Sequence, residues 1–312
     1  MFEPIIQSIR DFSTIIIHRH SRPDGDALGS QVGLKHLILE NFPGKTVYTV
    51  GDEAGFYDFM EDTVMDEIPD SAYEGALALI LDCGGQHLVS DDRYALAART
   101  ARMDHHLYTG CFTDVEAIDS SFESCCGLIA QMAMEAGWKL NPLAARSLYT
   151  GMVTDSGRFR YDSTTARTFR LAAWLMEAGI DIESIYKDLY ADEFENKRRK
   201  AEFLLKTRFT PSKTAFIYTT ADELAQLDMS TFAVSRGMVN TMADIRGTDI
   251  WVNFTEADGG VLCELRSSGP NINPIAVKYG GGGHAKASGA KVADRETAMR
   301  MLADLDALTG EK

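Results

Sequence analysis

The chain of 312 residues has no apolar run approaching the ~20 residues that a membrane-crossing helix requires, so no membrane partner is expected. It has no Cys-x-x-Cys pair. Its five cysteines are an odd number, and Cys125 and Cys126 are adjacent, which suits neither a routine disulfide nor a zinc site. They read as packing residues of a reducing compartment, and the cytoplasm is the expected location. The opening "MFEPIIQSIRDF" has an early Glu and no small-residue cleavage site, so no signal peptide is expected. Basic residues are also short: 31 Lys and Arg stand against 46 Asp and Glu, a formal net charge of −15. That deficit argues against long duplex nucleic acid, whose binding relies on many Lys and Arg contacts to phosphate. Small anions held by a local site remain open. There is no internal repeat and no low-complexity tract.

What is present is an ordinary soluble balance, 45% hydrophobic and 25% charged, in a chain longer than one typical domain of roughly 100–200 residues. The first half alternates strand and helix signals. "TIIIHRH", "KTVYTV", "GALALILDCGG" and, more weakly, "RTARMDHH" read as strands, and "ALGSQVGLKHLILE" reads as a helix between the first two. Further helices are expected over 125–137 and 142–153, the second with Asn141 as N-cap and Pro142 in its first position. Such alternation predicts an α/β fold with a parallel, doubly wound sheet, which places its ligands at the carboxyl ends of its strands. Near residue 190 the texture changes to "ADEFENKRRKAEFLLKTRF", a charged helical linker. Strands "AFIYTT", "DIWVNFTE" and "GVLCELRS" then predict a smaller α/β domain, with helices over 221–227, 235–244 and 295–308. The expected boundaries are 1–188, 189–210 and 211–312.

The chemistry-bearing residues fall where that rule would put them. His20-x-x-x-Asp24-x-Asp26 follows the first strand, Asp82 ends the third, and Asp104-His105-His106 ends the fourth. Asp155 in "TDSGRF" follows a helix among small residues. An apolar pocket cannot hold four carboxylates together, because like charges would force some to protonate, and divalent cations remove that conflict. Two ions roughly 3.5–4 Å apart make a clamp for phosphoryl chemistry. Asp24 and Asp26, separated by one glycine, can point to different ions, and Asp82, central in the order, can bridge them. Carboxylate and imidazole without thiolate favour Mn²⁺, with Mg²⁺, Co²⁺ and Zn²⁺ also suited. His18, two residues before His20, reads as structural. In the second half, the run Gly280–Gly283 allows positive φ and exposed backbone N–H groups, an anion-binding nest, with His284 and Lys286 beside it. Arg266 and Ser267 end a strand where they can hold a phosphate or ribose. Arg158 and Arg160 in "SGRFRY" are weaker candidates for phosphate contact.

The four metal motifs in this order, followed by "GGGGHAKASGA" at 280–290, resemble the DHH phosphoesterases with their DHHA1 partner domain, over nearly the whole chain. Length and motif wording are most similar to the NrnA-type branch, which degrades very short RNA and dephosphorylates adenosine 3′,5′-bisphosphate (pAp). The resemblance implies two divalent cations: His20 and Asp24 on one, Asp26, His105 and Asp155 on the other, and Asp82 bridging. It implies His106 as the catalytic residue beside the substrate phosphate, with Asp104 orienting a ligand histidine. Gly281, Gly282, Gly283, His284, Arg266 and Ser267 would bind substrate. The expected activity is hydrolysis of di- to pentaribonucleotides to mononucleotides and of pAp to AMP, with a homodimer compatible with the sequence. The alternative is a phosphodiesterase for c-di-AMP or pApA in the same superfamily. A family-II pyrophosphatase would present a basic Ser-Arg-Lys-type cluster where this chain has glycines, a RecJ-type nuclease would be larger, and a silent nucleotide sensor would not need a full ligand set.

Overall fold

In the computed structural model the described residues are 1–257 and 259–310. They form two compact units, Met1–Ala191 and Asp192–Lys312. In the first, the helix α1 (Glu3–Asp11) precedes β1 (Thr14–His18), α2 (Gly25–Asn41) and β2 (Thr46–Thr49). Strands β3 (Leu77–Leu81), β4 (Arg99–Asp104) and β5 (Val115–Ile118) follow, then helices α3 (Cys125–Glu135), α4 (Pro142–Asp155), α5 (Ala166–Met176) and α6 (Ile182–Tyr190). The five strands make a parallel sheet in the order β2-β1-β3-β4-β5. The chain steps one way from β1 to β2 and then reverses to β3, so a switch point lies at the carboxyl ends of β1 and β3.

Pleating divides the strand residues between two faces. Ile15, Ile17, Leu79 and Met103 join the main core with the helices, while Ile16, Ala78 and Ile80 pack under Tyr73 and Tyr94. Those tyrosines sit on short 3₁₀ turns, Asp70–Tyr73 and Asp92–Leu96. The sheet is therefore helical on one face and covered by turns on the other, which departs from the doubly wound expectation. The connections β2–β3 and β3–β4 are rich in Asp and Gly and lack a helical period.

Helices α2 and α4 run antiparallel in close contact, and glycine sets their distance. A Cβ on Gly25 would lie 2.6 Å from Thr154, one on Gly29 2.5 Å from the Ser147 carbonyl, and one on Gly33 2.6 Å from Leu148. On the facing helix, a Cβ on Gly151 would meet Cys126 Sγ at 2.2 Å. Residues four apart share one helix face, so Gly25, Gly29 and Gly33 form a groove that receives α4. The start of α2 and the end of α4 are thereby placed side by side.

The second unit contains α7 (Phe194–Leu205), β6 (Arg208–Phe209), β7 (Ala215–Thr219), α8 (Ala221–Gln226), β8 (Ile250–Ala257) and β9 (Gly260–Ser267). It continues with α9 (Asn273–Lys278), β10 (Gly282–Gly283), β11 (Ala287–Val292) and α10 (Arg295–Gly310). Its six-stranded sheet has the order β10-β11-β9-β8-β7-β6 and is antiparallel except between β7 and β8. The helix expected over 235–244 is instead a π turn, Ala233–Gly237, and a 3₁₀ turn, Val239–Met242. The buried Asn253 amide explains this: it donates to the carbonyls of Val234 (2.7 Å) and Ser235 (2.8 Å), tying that segment to β8. Among the described residues no helix is long and apolar enough to cross a membrane.

In an exposed helix, Gly→Ala stabilises by up to about 1 kcal/mol. At Gly29 the sign should reverse, because the new methyl meets a carbonyl that cannot move aside: Gly29→Ala is expected to destabilise by roughly 1–3 kcal/mol. Urea unfolding of the first unit's transition reads this directly, and a gain in midpoint would contradict the packing described.

Candidate metal centre

Each cluster residue is placed by a local device. Asp24 caps α2, its Oδ1 accepting the N–H groups of Asp26 and Ala27 at 3.0 Å each. Asp26, two residues further on and 1% exposed, is aimed at the start of α3. Its two oxygens accept the Cys125 and Cys126 N–H groups at 2.7 and 2.8 Å, a carboxylate on a helix N-terminus. The adjacent cysteines thus serve through their backbone, and their thiols are buried. Asp82 follows β3 in the left-handed region (φ 53), a conformation Asp tolerates better than most residues. Asp155 ends α4, beside Asp24 and Asp26 because of the glycine groove.

The histidines complete the set. His20 Nε2 lies 3.4 Å from Asp82 Oδ2 and 3.8 Å from Asp24 Oδ1, and its Nδ1 is 2.8 Å from the Ser21 carbonyl. His105 Nε2 lies 3.4 Å from Asp155, 3.5 Å from Asp82 Oδ1 and 3.7 Å from Asp26 Oδ2. Three overlapping groups result: His20, Asp24 and Asp82; Asp26, His105 and Asp155; and Asp82, His105 and His106. Asp82 is shared by two of them. His106 Nδ1 is 2.7 Å from Asp104 Oδ1, which also accepts the His106 N–H at 3.2 Å. Asp104 therefore orients His106, rather than a residue of the other groups.

The donor set fits a divalent cation. Asp82 Oδ1 is buried without a hydrogen-bond partner, an arrangement that costs free energy unless something answers it. Donor atoms that share an ion at about 2.1 Å sit roughly 3.0–3.5 Å apart, near the imidazole–carboxylate spacings here and beyond good hydrogen bonds. Burial, with Asp82 and Asp155 nearby, pushes Asp26 well above the usual carboxylate range despite its two N–H donors. Burial likewise lifts Asp155 to about 7. Against the opposing effect of burial, the surrounding carboxylates raise His20 to about 11 and His105 to about 10, so the bare cluster holds protons where a cation would sit. All donors are oxygen or imidazole nitrogen, a set suited to divalent ions of the Mn²⁺ and Mg²⁺ kind.

The supporting residues include some that sequence reasoning missed. Arg19 is fully buried, its Nε donating to Gln31 Oε1 at 2.9 Å and its Nη2 to the Asp52 carbonyl. Gln31 in turn donates to the carbonyls of Ile17 and Val50 at 2.6 and 2.9 Å, fixing the turn that carries His20. The signal for α2–α4 packing, Gly25-x-x-x-Gly29-x-x-x-Gly33, was available in the sequence. His18 lies outside the cluster: it is buried against Tyr73 and Tyr94, and burial lowers it to about 4. Arg158 is exposed, with its guanidinium 4.7 Å from the Tyr190 ring centre, and Arg160 is exposed and partnered.

In the second unit, Arg266 donates to Glu264 at 3.2 Å and to the Leu265 carbonyl at 2.8 Å. The Ser267 hydroxyl is engaged by the Pro270 carbonyl and the Gly269 N–H at 2.8 and 3.0 Å, so it has little capacity left for a ligand. The glycine run is a hairpin edge rather than a row of free N–H groups. Gly281 donates to the Ala276 carbonyl at 2.9 Å and His284 N–H to the Ala287 carbonyl at 2.7 Å. Only Gly280 and Gly283 have positive φ, and Gly282 and Gly283 pair with β11. A Cβ on Gly281 would meet the Gly289 carbonyl at 2.1 Å, so glycine there also serves close strand approach. The His284 side chain is exposed on the turn.

Residues 14–152 match the DHH family, N-terminal domain, and residues 222–311 match the DHHA1 domain. The chain is 34% identical to the bifunctional oligoribonuclease and PAP phosphatase NrnA of Bacillus subtilis (strain 168), covering 98% of each chain. It is also 34% identical to the protein so named in Mycoplasma genitalium, over 96% of this chain and 95% of that one. Among solved structures, an exopolyphosphatase-related protein from Bacteroides fragilis superposes with a TM-score of 0.87 at 25% identity, covering 99% of this chain and 97% of that one. With this similarity along almost its full length and both domains in order, the chain belongs to the DHH family and carries a DHHA1 domain.

Proposed function

We propose that the protein is a metal-dependent phosphoesterase that hydrolyses short oligoribonucleotides to mononucleotides and pAp to AMP. The observation that carries this is the pair of ligand groups, His20–Asp24–Asp82 and Asp26–His105–Asp155, set side by side at one sheet edge. The relatives named above support the substrate choice, and the acidic exterior agrees with short rather than long nucleic acid. Two divalent cations, for which Mn²⁺ is the proposed identity, would supply Lewis acidity and lower the pKa of water at the phosphorus.

The chain's own residues do the remainder. Asp104 accepts from His106 Nδ1–H and raises that imidazole above its ordinary value, which favours the protonated ring that can donate Nε2–H to a phosphate oxygen. Charge building on the non-bridging oxygens is then met by a preset donor. In the second domain, Arg266 and His284 are proposed to take a substrate phosphate, with Gly281, Gly282, Gly283 and Ser267 shaping the hairpin and loop that carry them.

A product time course on 5′-labelled di- to pentaribonucleotides and on pAp, with Mn²⁺ or EDTA, tests the reading. Mononucleotides and AMP are expected, both lost in EDTA; turnover of a cyclic or linear diadenylate alone would replace it with a signalling-nucleotide activity. Removing a ligand, as in Asp82→Ala or His105→Ala, should lower kcat by more than the roughly 10–100-fold loss expected of Asp104→Asn, which disturbs an outer partner. Equal effects of all three variants would refute the division of roles. His20 and His105, raised in the bare cluster, must lose their protons to ligate, so apparent Mn²⁺ affinity should rise with pH. Calorimetry in buffers of differing ionisation enthalpy should register proton release on Mn²⁺ binding, and proton uptake would contradict it.

A further inference from the structure

Beside His106 the first unit has a cavity of about 310 Å³, lined by His106, Tyr108, Glu116, Ile118 and Ser120. It lies at the carboxyl end of β4 and the edge strand β5, the same sheet edge as the metal ligands. Its size is at the lower end of the roughly 300–1,000 Å³ typical of small-molecule sites. A larger cavity of about 1450 Å³ in the same unit is lined by Asp52, Glu53, Asp66, Glu67 and Asp91 among others, and that carboxylate wall would repel a nucleotide.

The lining beside His106 is different in kind. The Tyr108 ring is 61% exposed, yet it is not a loose surface residue. The Arg102 guanidinium lies 5.8 Å from its centre and 4.4 Å from that of Phe112. Arg102 is itself buried, donating to the carbonyls of Cys83 (3.3 Å) and Gly110 (3.1 Å), so it ties the loop 105–112 to the sheet. The one carboxylate in the lining is already engaged: Glu116 Oε1 lies 3.0 Å from Arg102 and accepts from the Phe112 N–H and Thr113 hydroxyl at 3.3 Å each. The lining is completed by the half-buried Ile118 and the exposed Ser120, whose hydroxyl has no partner among the described residues. A held aromatic face, an apolar side chain and one free hydroxyl suit a nucleobase, and a stacking platform accepts any base.

We propose that this cavity receives the nucleoside on the 3′ side of the scissile phosphate, its base stacked on Tyr108 and its edge or ribose bonded to Ser120. The assignment rests on the phosphoesterase reading. An oligonucleotide has a nucleoside on both sides of the scissile phosphate, whereas pAp has none beyond its 3′-phosphate. The cavity is therefore a determinant of the choice between the two substrates.

The test compares kcat/KM on a 5′-phosphorylated diribonucleotide and on pAp, with Mn²⁺, for the full-length protein and for Tyr108→Ala, Tyr108→Phe and Ser120→Trp. Tyr108→Ala should lower the dinucleotide-to-pAp ratio about tenfold, mostly through KM, and Tyr108→Phe should keep it. Ser120→Trp, which fills the cavity from an exposed position, should lower the ratio as well. Equal losses on both substrates would place the shared nucleoside there instead, and an unchanged ratio in both Tyr108→Ala and Ser120→Trp would remove the cavity from substrate binding. A wild-type protein that turns over neither substrate would overturn the phosphoesterase reading itself, and the assignment with it.

Discussion

Crowding of like charge is the constraint on which the rest of the structure depends. Asp26 and Asp82 are almost fully buried, and Asp155 is close to both through His105. Three carboxylates cannot remain ionised together in a protein interior without compensation. The fold supplies part of it through the α3 N-terminus and the two imidazoles. The remainder has to come from protons or from cations, and the unpartnered Asp82 Oδ1 marks where the protein's own donors run out. A cluster so placed has a function other than stability, because apolar residues of similar volume would give a more stable core.

The topology makes that crowding possible. Reversal of strand order after β2 opens the sheet edge between β1 and β3, from which His20 and Asp82 approach each other. Asp104 and the two histidines enter from the neighbouring strand, and Asp155 arrives from a helix that follows the last strand of the sheet. The glycine-lined contact of α2 with α4 sets that last ligand beside Asp24 and Asp26. Buried Arg19 and Arg102 hold the two loops on either side, each by bonds to backbone carbonyls.

Much of this was legible in the sequence, and the limits have physical causes. Strands β1 and β3 are apolar runs bounded by turn residues, and the ligand-type residues His20 and Asp82 follow them directly. Strand β5 is four residues at a sheet edge, and β11, "ASGAKV", has small side chains where a strand usually shows branched ones. Neither has a period strong enough to read. The segment 235–244 has helical character that Asn253 overrides from a distant strand. The glycine run shows how one composition serves two ends: a nest and a tight hairpin both call for glycine, and the pairing with β11 decides between them. Arg19 and Arg102 escaped notice because arginine is so seldom fully buried that sequence patterns assign it to the surface.

The glycines of α2 carry a further consequence, for how the chain opens. Each glycine inside a helix forgoes about 1 kcal/mol of intrinsic helical preference relative to alanine, so the first turns of α2 are helical mainly because α4 covers them. Asp24 and Asp26 stand on that stretch. If α4 drew away, the segment would lose its reason to stay coiled, and the ligands it presents would scatter as backbone order was lost. Ion occupancy and local melting of α2 are thus opposite ends of one equilibrium. A cation held by Asp24 or Asp26 would secure the order of a stretch that glycine leaves weakly helical by itself.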